Sequence, residues 1–164
     1  MKIIDSHVHI YPPELERDME KIGESEEWFR ILTHSKVNKW GTAEELIASM
    51  DESGIESSLV TSFAFDDQGL CSMVNDYVLD AAKKWPGRIL PMAVVSPCRR
   101  GAVREAERCA SLGSVGIGEL FPDGQCLDIA DRSQTWRLVS VCDECGMFIM
   151  FHTAEQAGHH YPGR

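Results

Sequence analysis

His7 and His9 stand one residue apart at the end of an apolar run, Ile3-Ile4-Asp5-Ser6-His7-Val8-His9. In a strand, alternate side chains share a face, so both imidazoles project the same way, with Asp5 behind them. Two imidazoles at this spacing can hold one divalent cation from a rigid support, at about 2.0–2.1 Å from each nitrogen for zinc. Two more candidates end apolar runs: Glu119 in Gly116-Ile117-Gly118-Glu119-Leu120, and His152 in Phe148-Ile149-Met150-Phe151-His152-Thr153. Alternation places Val115, Ile117 and Glu119 on one face, with the carboxylate aimed at the two histidines. Imidazoles and a carboxylate at the ends of three strands suit one divalent metal held at a common rim.

Such a cluster needs a scaffold that gathers strand ends, and the rest of the chain has that rhythm. Gly54, Gly87, Gly113 and Gly146 each follow a helical run and precede an apolar strand, expected at 58–65, 89–95, 115–120 and 147–151. Glycine there ends a helix in the left-handed conformation, and near-continuous apolar strands suit a parallel sheet covered by helices. The helix from Thr42 carries a capping box with Glu45 and an apolar stripe through Ala43, Leu46, Ile47 and Met50. Further helices are expected over 70–85, with Met73, Val74, Tyr77 and Ala81 on one face, over 100–112, and over 133–145. The units are about 30 residues long, the length of a βα repeat. The fold class is therefore α/β: a partial (β/α) TIM-type barrel with five parallel strands out of an expected eight. A closed barrel takes about 250 residues. Residues 1–164 read as one domain, the N-terminal part of such a barrel, with an insertion at 11–41. There Pro12-Pro13 closes the first strand, and a charged helical piece over 14–27 leads to Trp28-Phe29 as a lid, a pocket wall or a helix on the rim.

The formal charge of −10 argues against nucleic acid or an anionic membrane as partner, and 43% hydrophobic residues is an ordinary globular composition. No apolar stretch approaches the roughly 20 residues of a membrane span, and the N-terminus does not read as a signal peptide. The cytoplasm is the expected location, with the six cysteines reduced. Cys142-x-x-Cys145 reads as a pair of buried helix-face thiols, and nothing marks Cys71 or Cys98 as a nucleophile. Asp66-Asp67 reads as a helix cap, and Arg99-Arg100 as a solvated helix start or a contact for an anionic substrate. His34 reads as a surface residue, while Trp28 and Trp40 line a pocket or cap the core.

The opening Ile4-Asp5-Ser6-His7-Val8-His9, with Phe151-His152-Thr153-Ala154-Glu155 on strand five, resembles the metal-dependent hydrolases of the amidohydrolase superfamily. The nearer likeness is to the amidohydrolase-2 branch, which also contains decarboxylases similar to aminocarboxymuconate-semialdehyde decarboxylase. Residues 155–163 resemble the loop after strand five in that branch. The resemblance implies metal ligands at His7, His9 and His152, with zinc or a similar ion activating a water. It also implies a small-molecule substrate: an amide, ester or lactone for a hydrolase, or a carboxylic acid for a decarboxylase. Gly116-Ile117-Gly118-Glu119 is similar to the strand-four carboxylate segment of the TatD-type deoxyribonucleases, where Glu bridges two metals. The amidohydrolase-2 branch more usually implies a single metal. The family also takes a His from strand six and an Asp from strand eight, which these residues do not contain, and His159 and His160 in the last loop take no role. The leading expectation is a metal-dependent hydrolase, with a decarboxylase on the same scaffold or a catalytically incomplete fragment as the alternatives. The chain by itself is expected to self-associate or to need a missing C-terminal half, with Ile117, Phe148 and Met150 exposed on an unclosed inner face.

Overall fold

The computed structural model describes residues 2–33 and 39–153. Five strands, β1 (Ile4–His9), β2 (Ser57–Thr61), β3 (Ile89–Ala93), β4 (Gly116–Leu120) and β5 (Phe148–Phe151), pair in parallel in chain order. Four helices connect them: α4 (Ala43–Ser53), α5 (Gln68–Lys84), α6 (Ala102–Ser111) and α7 (Arg132–Cys145). Parallel neighbours need such crossovers, and the repeated βα unit curls the sheet into half of a TIM-type barrel. His34, and the stretch from Ala154 that includes Glu155, His159 and His160, lie outside the described residues.

Local signals set the helix ends. Thr42 and Glu45 cap α4 reciprocally, and Gly54 and Gly146 end α4 and α7 at φ of 69° and 65°. Asp67 caps α5 by accepting from the Leu70 N–H. The strands are shorter than expected: β2 ends at Thr61, and 62–65 leave the ladder as the loop that climbs toward the insertion. The insertion is not one helix but three short ones, α1 (Pro13–Arg17), α2 (Met19–Gly23) and α3 (Glu27–Thr33). Gly23 lies against the Cβ of Arg30, so α2 and α3 fold back on each other.

Two apolar clusters lie between sheet and helices. One joins Ile10, Val60 and Ile89 to Ala43, Val78 and Ala81, and the other joins Ala93, Ile117 and Leu120 to Ala106, Cys109, Leu138 and Cys142. A third, with Leu15, Phe29, Phe65, Val94 and Phe121, seats the insertion on the C-terminal ends of the strands. Cys142 is buried but Cys145 is exposed, so the expected pair of buried thiols is only half right: position 145, one residue before the cap, has left the packed face. Arg99 forms a bidentate ion pair with Asp66 and stays exposed to solvent, as the reading of a solvated helix start has it.

One buried polar network escaped the apolar-stripe reading of α5. Asn75 exchanges hydrogen bonds with the Val94 backbone and donates to Glu105, which Arg108 clasps through two nitrogens. Burial opposes ionisation of Glu105, but the Arg108 and Asn75 bonds outweigh it and hold the carboxyl at about 2, against an ordinary 4.5. A carboxyl depressed in the folded state stabilises the protein above the unfolded value and loses that contribution as pH falls through the folded one. Thermal stability is therefore expected to fall between pH 4.5 and about 2, and less steeply in Glu105→Gln, as scanning calorimetry across that window will show. An unchanged slope in the variant would remove Glu105 from the acid response.

Candidate metal centre

β1 and β4 each depart from regular pairing beside a candidate ligand. Asp5 pairs with Ser58 and Val8 with Val60, so Ser6 and His7 together oppose Leu59. Ile117 pairs with Ile149 and Leu120 with Phe151, so Gly118 and Glu119 together oppose Met150. Two residues against one is a β-bulge, which flips the phase of the side chains beyond it. Ile117 accordingly lies on the helix side at 0% exposure, and it does not share a face with Glu119 as alternation implied. Without the bulge, Glu119 would follow Ile117 under the helices; with it, the carboxylate turns inward. Nor is the inner face exposed at Ile117, although Phe148 on β5 remains 42% accessible. The β1 bulge puts Asp5 out of phase with the histidines, and its carboxylate accepts the His7 backbone N–H instead of standing behind the rings.

The result is a compact donor set. The Nε2 atoms of His7 and His9 stand 2.9 Å apart, and Glu119 Oε2 lies 3.3 and 3.4 Å from them. His152 approaches the same carboxylate from the other side, its Nδ1 3.0 Å from Oε1. His152 is thus drawn to the cluster through Glu119, while the tight trio is His7, His9 and Glu119. Burial disfavours a charged Glu119, yet the His9 hydrogen bond and the nearby imidazoles prevail and hold its carboxyl at about 2.

The residues fit a divalent cation. In a tetrahedral site with bonds of about 2.0–2.1 Å, donor atoms are separated by roughly 3.3–3.4 Å. The two nitrogen–carboxylate distances match that spacing, and the nitrogen pair is slightly tighter. Two imidazole nitrogens that face each other at 2.9 Å repel unless a proton or a cation lies between them. On the far side of the ring, His9 Nδ1 is buried without a hydrogen-bond partner among the described residues, so no second group fixes its tautomer.

Aromatic rings flank the cluster. Tyr11 stacks on His9 at 6.2 Å, Phe121 meets His152 edge-on at 5.1 Å, and Trp28 of the insertion meets Phe121 at 5.3 Å. Trp40 packs on Tyr11 and Phe29, so Trp28 and Trp40 both support this wall. Burial, with the Glu119 charge second, pushes the Tyr11 hydroxyl up to about 12, so it stays a neutral phenol near neutral pH.

Two residues central to this arrangement carried no sequence signal. The Thr61 hydroxyl donates to the Gly118 carbonyl inside the β4 bulge. Gln125, at 0% exposure, bonds to Phe65, Val95 and Phe121 in three successive strand-end loops. An isolated Thr at a strand end and a Gln in a loop look like countless others; only the fold reveals their partners.

Residues 4–164 match the sequence model of the family described as Amidohydrolase, of the amidohydrolase-2 branch. No curated protein matches the chain. Among solved structures, 5-carboxyvanillate decarboxylase of Novosphingobium aromaticivorans DSM 12444, complexed with manganese and 4-hydroxy-3-methoxy-5-nitrobenzoic acid, is similar at a TM-score of 0.75 and 20% identity, over 93% of this chain and 50% of that one. IDCase of Metarhizium anisopliae is similar at 0.67 and 15%, over 92% and 50%. A "probable 2-pyrone-4,6-dicarboxylic acid hydrolase" of Acinetobacter baumannii is similar at 0.59 and 18%, over 93% and 49%. At these identities the likeness shows a shared fold, and the chain spans about half the length of each.

Proposed function

The chain belongs to the amidohydrolase family, and on that premise we propose that it carries the N-terminal half-site of a metal-dependent hydrolase acting on a small-molecule amide, ester or lactone. The observation that carries this reading is the convergence of His7 Nε2 and His9 Nε2 on Glu119 Oε2. His7, His9 and Glu119 hold the ion, with His152 joining from strand five, and zinc suits a donor set dominated by imidazole. Manganese in a structural neighbour supports a divalent ion without selecting zinc. When bound, the ion supplies Lewis-acid polarisation of the substrate and an acidified water.

The chain's own residues do the rest. Glu119 holds negative charge between the imidazoles and, through Oε1, orients His152. Tyr11, Phe121 and Trp28 wall one side of the site with rings on which a planar substrate can seat. Those rings favour decarboxylation of an aryl acid as a second reading, since the Novosphingobium decarboxylase binds a nitrobenzoic acid. β1 and β5 are the edges of the sheet, with Ile4 at 58% and Phe148 at 42% exposure. We take this as support for completion of the site by further barrel strands or by self-association. A cytoplasmic location is part of the proposal, supported by six free thiols. No helix among the described residues is long and apolar enough to cross a membrane.

The test is the protein in its longest encoded form, loaded with zinc or manganese and assayed on lactones, esters, amides and aryl carboxylic acids. Acid release from an uncharged substrate, lost in His7→Ala, is expected. Release of CO₂ instead selects the second reading. Neither activity in metal-loaded, folded protein overturns both.

A further inference from the structure

The bulge that turns Glu119 inward needs something to hold it, because a strand edge with an extra residue can relax to a regular ladder. Gly118 has φ of +135°, and a Cβ there would come within 2.5 Å of the Met150 carbonyl, so the position accepts only glycine. Its carbonyl is turned off the ladder to meet the Thr61 hydroxyl. Thr61 belongs to β2, and β2 and β4 are not neighbours: β3 runs between them. Strands two apart lie roughly 9–10 Å from each other along a sheet. The bond therefore crosses the concave interior, where hydroxyl and carbonyl can meet only because the sheet curls and the bulge swings the carbonyl inward. Thr61 is 0% exposed, so no water competes for its hydroxyl.

The same residue also anchors the other ligand strand. Thr61 pairs with His9 in the parallel register, and its carbonyl accepts the Ile10 N–H at 3.0 Å. Its backbone thus fixes the histidine end of β1 while its side chain fixes the bulge of β4. We propose that Thr61 is a positioning residue for the metal centre, setting the distance between the His7–His9 pair and Glu119 through the Gly118 carbonyl. This rests on the metal reading given above, and it assigns the specific bond that makes the site compact.

The experiment compares Thr61→Val, which keeps the shape and removes the donor, with Thr61→Ser, which keeps the donor. Manganese affinity is read from the electron paramagnetic resonance of free Mn²⁺, and the imidazole ¹⁵N shifts are read in metal-free protein. Loss of a supporting contact of this kind costs roughly 10–100-fold in metal affinity. That loss is expected in Thr61→Val, with Thr61→Ser close to wild type. In metal-free protein, the ¹⁵N shifts of His9 and His152 are expected to move in Thr61→Val and to stay in place in Thr61→Ser. Should Thr61→Val not fold, Thr61→Ala removes the hydroxyl without forcing a methyl into its place, and is read the same way. Unchanged affinity with unchanged shifts in a folded variant, even one of lowered melting temperature, overturns the proposal. If wild type binds neither manganese nor zinc while the shifts still respond to loss of the hydroxyl, the metal reading fails and the positioning role of Thr61 stands.

Discussion

Adding zinc or manganese is expected to raise the unfolding midpoint, and Glu119→Ala to abolish the rise. An ion that binds only the folded chain stabilises it by about 2.7 kcal/mol at a hundredfold excess over Kd. For a chain of this size each kcal/mol moves the midpoint by about 2–4 °C, so a shift of roughly 5–11 °C follows. The unfolded chain separates Glu119 from His7 and His9 by more than a hundred residues, so it cannot offer the same trio. Glu119 is the decisive position because it touches all three imidazoles, through Oε2 to His7 and His9 and through Oε1 to His152. His9→Ala is expected to match it, and a chelator to return wild type to its starting midpoint. Differential scanning fluorimetry with and without metal makes the measurement. A full metal-induced shift in Glu119→Ala would place the ion elsewhere and undo the proposed centre.

What the sequence made legible was local. The His-x-His pair, the Thr42–Glu45 box and the glycines after each helix act within a few residues, and a one-dimensional reading reaches them. The strand rhythm gave the parallel half-barrel because apolar runs between helices have few other ways to be buried. Where the reading failed, an interaction between strands decided the matter. Ile117 and Glu119 are two apart and should share a face; they do not, because pairing against β5 absorbs an extra residue at Gly118 and Glu119. Asp5 leaves the histidine face for the same reason on β1. Glu119 thus lies where alternation put it, but through a bulge that alternation cannot foresee. The insertion folds as three short helices held by packing on Phe65, Val94 and Phe121, and by the Glu26 carboxylate, which accepts the backbone N–H groups of Asp66 and Asp67. Contacts across 40 residues leave no periodic trace in the chain.

Gln125→Ala is expected to be the most destabilising single change at the floor of the site. The Gln125 amide donates to the carbonyls of Phe65 and Val95, each at 2.8 Å, and its oxygen accepts the Phe121 N–H at 3.0 Å. These three groups belong to the loops after β2, β3 and β4, which cannot pair with one another because the strands have ended. With no solvent access at Gln125, removing the amide strands the Val95 carbonyl and the Phe121 N–H and leaves the Phe65 carbonyl only the Cys71 thiol. Each unsatisfied group costs about 1–3 kcal/mol, so the two together cost roughly 2–6 kcal/mol, out of the 5–15 kcal/mol typical of a whole domain. At about 2–4 °C per kcal/mol, the midpoint falls by roughly 4–24 °C. Gln125→Met separates the two contributions of the side chain: it keeps most of the volume and none of the hydrogen bonds. If the bonds dominate, Met falls nearly as far as Ala. If packing dominates, Met stays near wild type in thermal and urea unfolding, and Gln125 is a filler and not a staple. Phe121, whose ring lies against His152, hangs from this amide. Loss of the staple is therefore expected to weaken metal binding alongside stability, whereas Thr61→Val is expected to act on affinity first.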